Sequence, residues 1–173
     1  LFLSEIGDMR IGWKDSNPLD YFVDFETINY NLYVKPQDMD IDKSYIDSDV
    51  TFMIGFGFKY DSAVDSNKII EGLEMDKTKC DYIVHVDSEK GWEFVCLYLS
   101  KFEVKNEMEV FRLFYQFIII RQAIYKQAHK LNENEAQMRM FHWTDAELRF
   151  MQKAINRIRS GEYTKYYMQN SNL

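Results

Sequence analysis

The hydrophobic period of this chain changes once, near residue 106, and that change constrains the fold more than any other feature. Before it come runs with the β-branched and aromatic content of strands: "LDYFVDFETI" over 19–28, "TFMIGFGFKY" over 51–60, "YIVHV" over 82–86 and "WEFVCLYLS" over 92–100. After it, "NEMEVFRLFYQFIIIRQAIYKQAHK" over 106–130 repeats at helical spacing, with Met108, Phe111, Phe114 and Ile118 in one stripe and Val110, Phe117 and Ile124 on its flank. Its broad apolar face suits packing on a sheet. "QMRMFHW" over 137–143 reads as a short strand, and "TDAELRFMQKAINRIR" over 144–159 as a second helix with the stripe Leu148, Met151, Ile155 and Ile158. The segment between the first two strands and residues 61–80 are polar and turn-like. Three or four strands thus precede the helices. The order β-β-β-α-β-α predicts an α/β fold with a mixed central sheet flanked by helices.

At 173 residues the chain has the length of one domain with one substantial core, here expected over about 19–158. The longest apolar patch, "FIII" at 117–120, lies between Gln116 and Arg121 and is too short to span a membrane. Cys80 and Cys96 have no nearby ligand pairs, which argues against a disulfide framework and a zinc site. An intracellular setting, cytoplasmic or nuclear, is the expectation. The chain opens at Leu1 without a signal-like segment and is read as a piece of a longer protein, whose other domains would be partners.

Charge is divided unevenly: residues 1–100 hold 9 Lys and Arg against 20 Asp and Glu, and 101–173 hold 12 against 8. An acidic site on the first half with a basic surface on the second is one reading, and two unrelated solvated faces the other. The overall acidity argues against non-specific duplex binding. It leaves room for a nucleic-acid enzyme whose site balances its charge with metal ions.

Alternation on the first strand puts Phe22, Asp24 and Glu26 on one face and Tyr21, Val23 and Phe25 on the other. In a central, buried strand, unpaired carboxylates would cost roughly several kcal/mol, so something positive should stand opposite. The first half has few Lys and Arg, and a pair of acids is what a hard divalent cation such as Mg²⁺ or Mn²⁺ asks for. An edge strand with merely solvated acids is the plainer alternative. On the second strand Gly55 and Gly57 share a face, where they leave space, allow close backbone approach or mark a bulge. If that face carries Asp24 and Glu26, the space lies beside the acids.

A third carboxylate is offered by "FHWTDAE" over 141–147. Thr144 and Glu147 fit a capping box, in which Glu147 returns to the backbone of Thr144. Glu147 also lies one turn before Met151, at the margin of the expected sheet-facing stripe, where a ligand would serve equally. Asp145 falls on the other side of the turn. The acidic run "DMDIDKSYIDSD" over 38–49 departs from a calcium loop at Lys43 and Asp49 and reads as solvated. His85, His129 and His142 are scattered, which gives triad hydrolysis no support. "GFGFKY" sits within a strand, so it is no phosphate loop.

Taken together, "YFVDFET", an aromatic-glycine strand, a long helix and "FHWTDAE" resemble the ribonuclease H-like 3′-5′ exonuclease superfamily of the DnaQ or DEDD type, in particular its YprB-like and RecB-associated branch. The resemblance covers about 20–158. Asp24 and Glu26 match the family's Asp-x-Glu on the first strand. Glu147, five residues after His142, matches the acid that opens a later helix, with Glu where most members have Asp. The family's last Asp has no counterpart, since only Glu162 within "GEYTKYY" follows, too early and in the wrong setting. Either the fold's C-terminal part lies beyond this chain, another segment supplies the ligand, or the domain is inactive.

The resemblance implies a metal-dependent nuclease, a 3′-5′ exonuclease hydrolysing phosphodiester bonds of DNA or RNA. It implies two Mg²⁺ or Mn²⁺ ions roughly 4 Å apart, held by Asp24, Glu26 and Glu147, that activate a water and stabilise the leaving oxygen. A single-stranded end would be the substrate, with Thr27, His142 and Trp143 as nucleic-acid contacts. His142 suits a backbone-bonded role as well, and Trp143, Tyr30 and Tyr33 suit core packing as well as base stacking. The alternative is a catalytically inactive ribonuclease H-like module that binds a protein or nucleic-acid partner.

Overall fold

The computed structural model describes residues 17–29, 49–101, 106–132 and 135–160. Along the chain run β1 (Tyr21–Asn29), β2 (Asp49–Lys59), α1 (Ser66–Glu71), β3 (Cys80–Asp87), β4 (Trp92–Leu99), α2 (Glu107–His129), β5 (Met140–His142) and α3 (Asp145–Ser160). The strands form one sheet in the order β3-β4-β2-β1-β5. Neighbours are antiparallel except β1 and β5, which run parallel. The α/β class expected from the change of period is therefore present, with 82–86 as a full strand at one sheet edge. Among the described residues no helix is long and apolar enough to cross a membrane.

One helix lies in the segment that read as turns. Asp65 caps α1, its side chain accepting from the backbone N–H groups of Asn67 and Lys68, and Ile69 and Ile70 are buried. At six residues α1 is too short to display a period.

The core occupies one side of the sheet. Tyr21, Val23 and Phe25 of β1, Ile54, Phe56 and Phe58 of β2, and Val95 and Leu97 of β4 pack with Val110, Leu113, Phe114 and Phe117 of α2. The rings meet mostly edge to face, Phe56 lying 5.0 Å from Phe114 and 5.2 Å from Phe117 between centroids. Each fully buried side chain of this size contributes roughly 1.5–3 kcal/mol of transfer free energy.

The stripes expected on both long helices are rotated. On α2 the buried set is Glu107, Val110, Leu113, Phe114, Phe117, Ile118 and Arg121, with Met108, Phe111 and Ile124 only half-buried. On α3, Leu148 and Ile155 are 49% and 37% exposed, while Glu147, Ala154 and Arg157 are buried. The physical reason is paired charge. Arg157 forms a buried ion pair with Glu107, whose other oxygen accepts from the backbone N–H of Thr51 at 2.8 Å. Apolar periodicity cannot show a polar side chain that turns inward because its partner waits there.

Two further cations fix the sheet. Arg121 is fully buried, donates to the carbonyls of Pro18 and Lys59 at 2.9 Å each, and lies 3.9 Å from the Phe58 ring centre. Arg139, just before β5, grips buried Asp20 through two bonds of 2.9 and 2.6 Å. This clasp holds the short β5 against the start of β1.

Candidate functional site

The acids of β1 are not buried against a cation, and they are solvated, as in the plainer of the two expected settings. β1 lies between β2 and β5 in the sheet order, but β5 pairs only with Tyr21–Val23, so among the described residues Asp24 and Glu26 have a strand on the β2 side alone. Asp24 and Glu26 are exposed, because the described helices cover only the face that carries Tyr21, Val23 and Phe25. Their cross-strand partners on β2 are Gly55 and Met53, so no cation stands opposite. Among the described residues neither carboxylate makes a hydrogen bond or ion pair. Solvent, rather than a counter-ion, surrounds them.

The register places the glycines on the acid-bearing face, Gly55 beside Asp24 and Gly57 beside Phe22. They do different things. A Cβ on Gly57 would come within 2.8 Å of the Phe94 ring, which leans over this position from β4, whereas a Cβ on Gly55 would meet nothing closer than 3.9 Å. Gly57 admits a ring and Gly55 leaves a floor. Above that floor lies an open groove of about 510 Å³, bordered by Phe22, Asp24, Phe94, Cys96 and Trp143. Beyond Glu26 the register with β2 slips by one residue, a bulge that bends the ladder next to the acids.

β5 and α3 complete the other side. Because β5 runs parallel to β1 and pairs with Tyr21–Val23, Trp143 follows at the level of Asp24, and α3 begins just after it. Thr144 caps α3, its hydroxyl accepting from the N–H of Ala146 at 3.0 Å. Glu147 Oε2 accepts from the N–H of Thr144 at 3.0 Å and from its hydroxyl at 2.8 Å, so the capping box is formed. Glu147 itself is buried. Both of these bonds fall on one of its oxygens.

Asp24 and Glu26 are hard oxygen donors and suit Mg²⁺ or Mn²⁺ in kind. Among the described residues, however, no three His, Cys, Asp or Glu side chains converge closely enough to hold a metal ion. Glu147 thus stands outside such a group as its cap is built. Glu162, Tyr30, Tyr33 and the acidic run up to residue 48 lie outside the described residues.

The three residues expected to contact nucleic acid separate. Trp143 is 61% exposed and borders the groove with Asp24. His142 pairs with Val23 in register and donates from Nδ1 to the carbonyl of Thr144 at 2.7 Å, the backbone-bonded role open to it. Thr27 falls opposite Thr51 and shares, by alternation, the helix-covered face. Neither of these two borders the groove.

Sequence reasoning missed the aromatic row on the open face. Phe141 stacks on Phe22 at 5.0 Å, Phe22 meets Trp92 edge-on at 5.6 Å, and Trp92 stacks with Phe94 at 6.4 Å. The signal was present as alternating Trp92, Phe94 and Cys96 on β4 across from alternating glycines on β2. Burial raises the Cys96 thiol above its ordinary value and pushes that of Cys80 up to about 12. Compared with family models, curated proteins and solved structures, the chain gives no significant match.

Proposed function

We propose that this chain is a metal-dependent nuclease domain of ribonuclease H-like type, acting on an unpaired end of DNA or RNA. One observation carries the reading: Asp24 and Glu26 stand side by side, exposed and without partners among the described residues, on the open face of β1 where it pairs with β2. Stability alone gives no reason to place two adjacent acids there. The sheet order supports it too, since an antiparallel set that includes β1 and β2, followed by a long helix and a strand parallel to β1, is what the resemblance asks of the fold's first half.

Asp24 and Glu26 would hold the Mg²⁺ or Mn²⁺, and Glu147 would join them as the third acid only by leaving the position its cap gives it. Metal bound there would contribute an acidified water and charge stabilisation at the leaving oxygen. The chain's own residues do the positioning. Pairing with β2 fixes the β1 backbone under both carboxylates, and Gly55 keeps the space beside Asp24 clear for a substrate.

A second reading, a silent module, is favoured by the capping bonds on Glu147 and by the lack of a third converging acid among the described residues. One experiment separates the two. Mn²⁺ titration by calorimetry, beside cleavage of an end-labelled single-stranded oligonucleotide, is run on the wild type and on Asp24→Asn with Glu26→Gln. The nuclease reading expects Mn²⁺ binding and cleavage that both vanish in the double variant. Metal binding that is absent from the wild type, or unchanged in the variant, sinks it in favour of the silent module.

A further inference from the structure

We propose that the covered face of the sheet encloses a binding site for a single ordered water, held by Tyr21, Ser66, Glu93 and Arg121 around the Phe58 ring. Among the described residues five buried side-chain atoms have no hydrogen-bond partner, and four of them belong to these residues: Tyr21 Oη, Ser66 Oγ, Glu93 Oε2 and Arg121 Nε. The fifth, Asn106 Oδ1, stands at the N-terminal end of α2. None of the four side chains is more than 2% exposed. A buried polar group without a partner is costly, and four gathered in one place mark a site. The site is independent of the nuclease reading, because Tyr21 points away from the face that carries Asp24 and Glu26.

The fold brings the four together. Glu93 lies across from Phe58 in the register of β2 with β4. The Arg121 guanidinium is 3.9 Å from the centre of the Phe58 ring and 5.7 Å from that of Tyr21, and the two rings meet edge-on at 5.5 Å. Ser66 opens α1 and stands near Glu93, while the Tyr21 hydroxyl feels the charges of both Arg121 and Glu93. Yet none of the four atoms bonds to another. Each group is fixed from elsewhere: Arg121 donates from both terminal nitrogens to the carbonyls of Pro18 and Lys59, strand pairing holds Tyr21 and Glu93, and the Asp65 cap holds the turn that carries Ser66. A bridging molecule therefore does what the side chains cannot do by closing up.

Donors and acceptors choose water as that molecule. Arg121 Nε–H only donates, Glu93 Oε2 as a carboxylate only accepts, and each hydroxyl does either. A water that accepts from Arg121 and one hydroxyl, and donates to Glu93 and the other, satisfies all four atoms with no bond left over. The Arg121 charge turns a metal cation away, and the Glu93 carboxylate does the same to an anion.

The test counts long-lived internal waters of the whole chain by water-oxygen magnetic relaxation dispersion and locates them in a high-resolution crystal structure. The wild type is expected to show one density peak within about 3.2 Å of at least three of the four atoms. Ser66→Val, which puts a methyl group in place of the hydroxyl, is expected to lose one long-lived water. If that variant fails to fold, the wild-type density decides alone. No long-lived water in the wild type, no peak at this place, direct bonds among the four groups, a peak that a bromide soak replaces, or an unchanged water count in Ser66→Val would each overturn the site.

Discussion

The two faces of this sheet are built from alternate residues of the same strands, yet they answer to different demands. On the covered face, Tyr21, Val23 and Phe25 of β1 meet α2 in a dense aromatic core, and buried Glu107 and Arg121 on that side hydrogen-bond to the backbone of Thr51, Pro18 and Lys59. On the open face, Phe22, Asp24 and Glu26 meet a glycine, a groove and solvent. The contrast teaches that stability and chemistry are here separated by the strand's two-residue period. A substitution on one face should therefore leave the other's property nearly untouched.

The sharpest way to break this comparison is on the covered face. Phe117→Ala removes a fully buried ring between Phe56 and Phe58 and should cost about 3–5 kcal/mol in urea unfolding. A loss below about 1 kcal/mol would mean that the core is not centred where these rings meet. Thr144→Ala deletes the hydroxyl that serves Ala146 and Glu147 and should cost about 0.5–2 kcal/mol, read in the same assay. If it also weakens Mn²⁺ binding, Glu147 contributes to both the cap and the site.

Glu93 gives the covered face a pH signature. Burial raises its carboxyl above the ordinary 4.5, opposed by the nearby Ser66 hydroxyl and the charge of Arg121. The folded state then holds this proton more tightly than the unfolded chain does. Stability from this group is present below the ordinary value and is lost as pH rises from there through the raised one. Urea unfolding of Glu93→Gln at several pH values should show the wild type losing stability relative to the variant across that window, and parallel curves would refute the burial argument. The smallest effect belongs to the open face. Asp24→Asn with Glu26→Gln should leave stability within about 0.5 kcal/mol of wild type, because both acids are exposed and unpartnered among the described residues. A large loss would show that the acids are structural and that the faces are not separable.

Much of the covered face was legible. The long strands β1, β2 and β4 and the helix α2 announce themselves through period and composition, and the neighbourhood of Asp24 and Gly55 follows from alternation once the strands pair. The orientation of α3 was not legible. Its stripe was read from Leu148 and Ile155, whereas Arg157 and Glu147 turn inward toward bonding partners that lie far away in sequence or in the cap. Nor could the sequence tell that an interior strand would have an uncovered face, since coverage depends on which side the helices choose. That is why the acids were expected to be buried against a cation or stranded at an edge.

The clasp between Asp20 and Arg139 spans 119 residues of sequence. At about 5–20 residues per second, a ribosome takes roughly ten seconds to deliver the arginine after the aspartate. Throughout that interval β1 has no β5 to pair with, and Asp20 must stay in water. The sheet of the nascent chain can grow only from β1 toward β3 until then, and the edge beside the acids closes last.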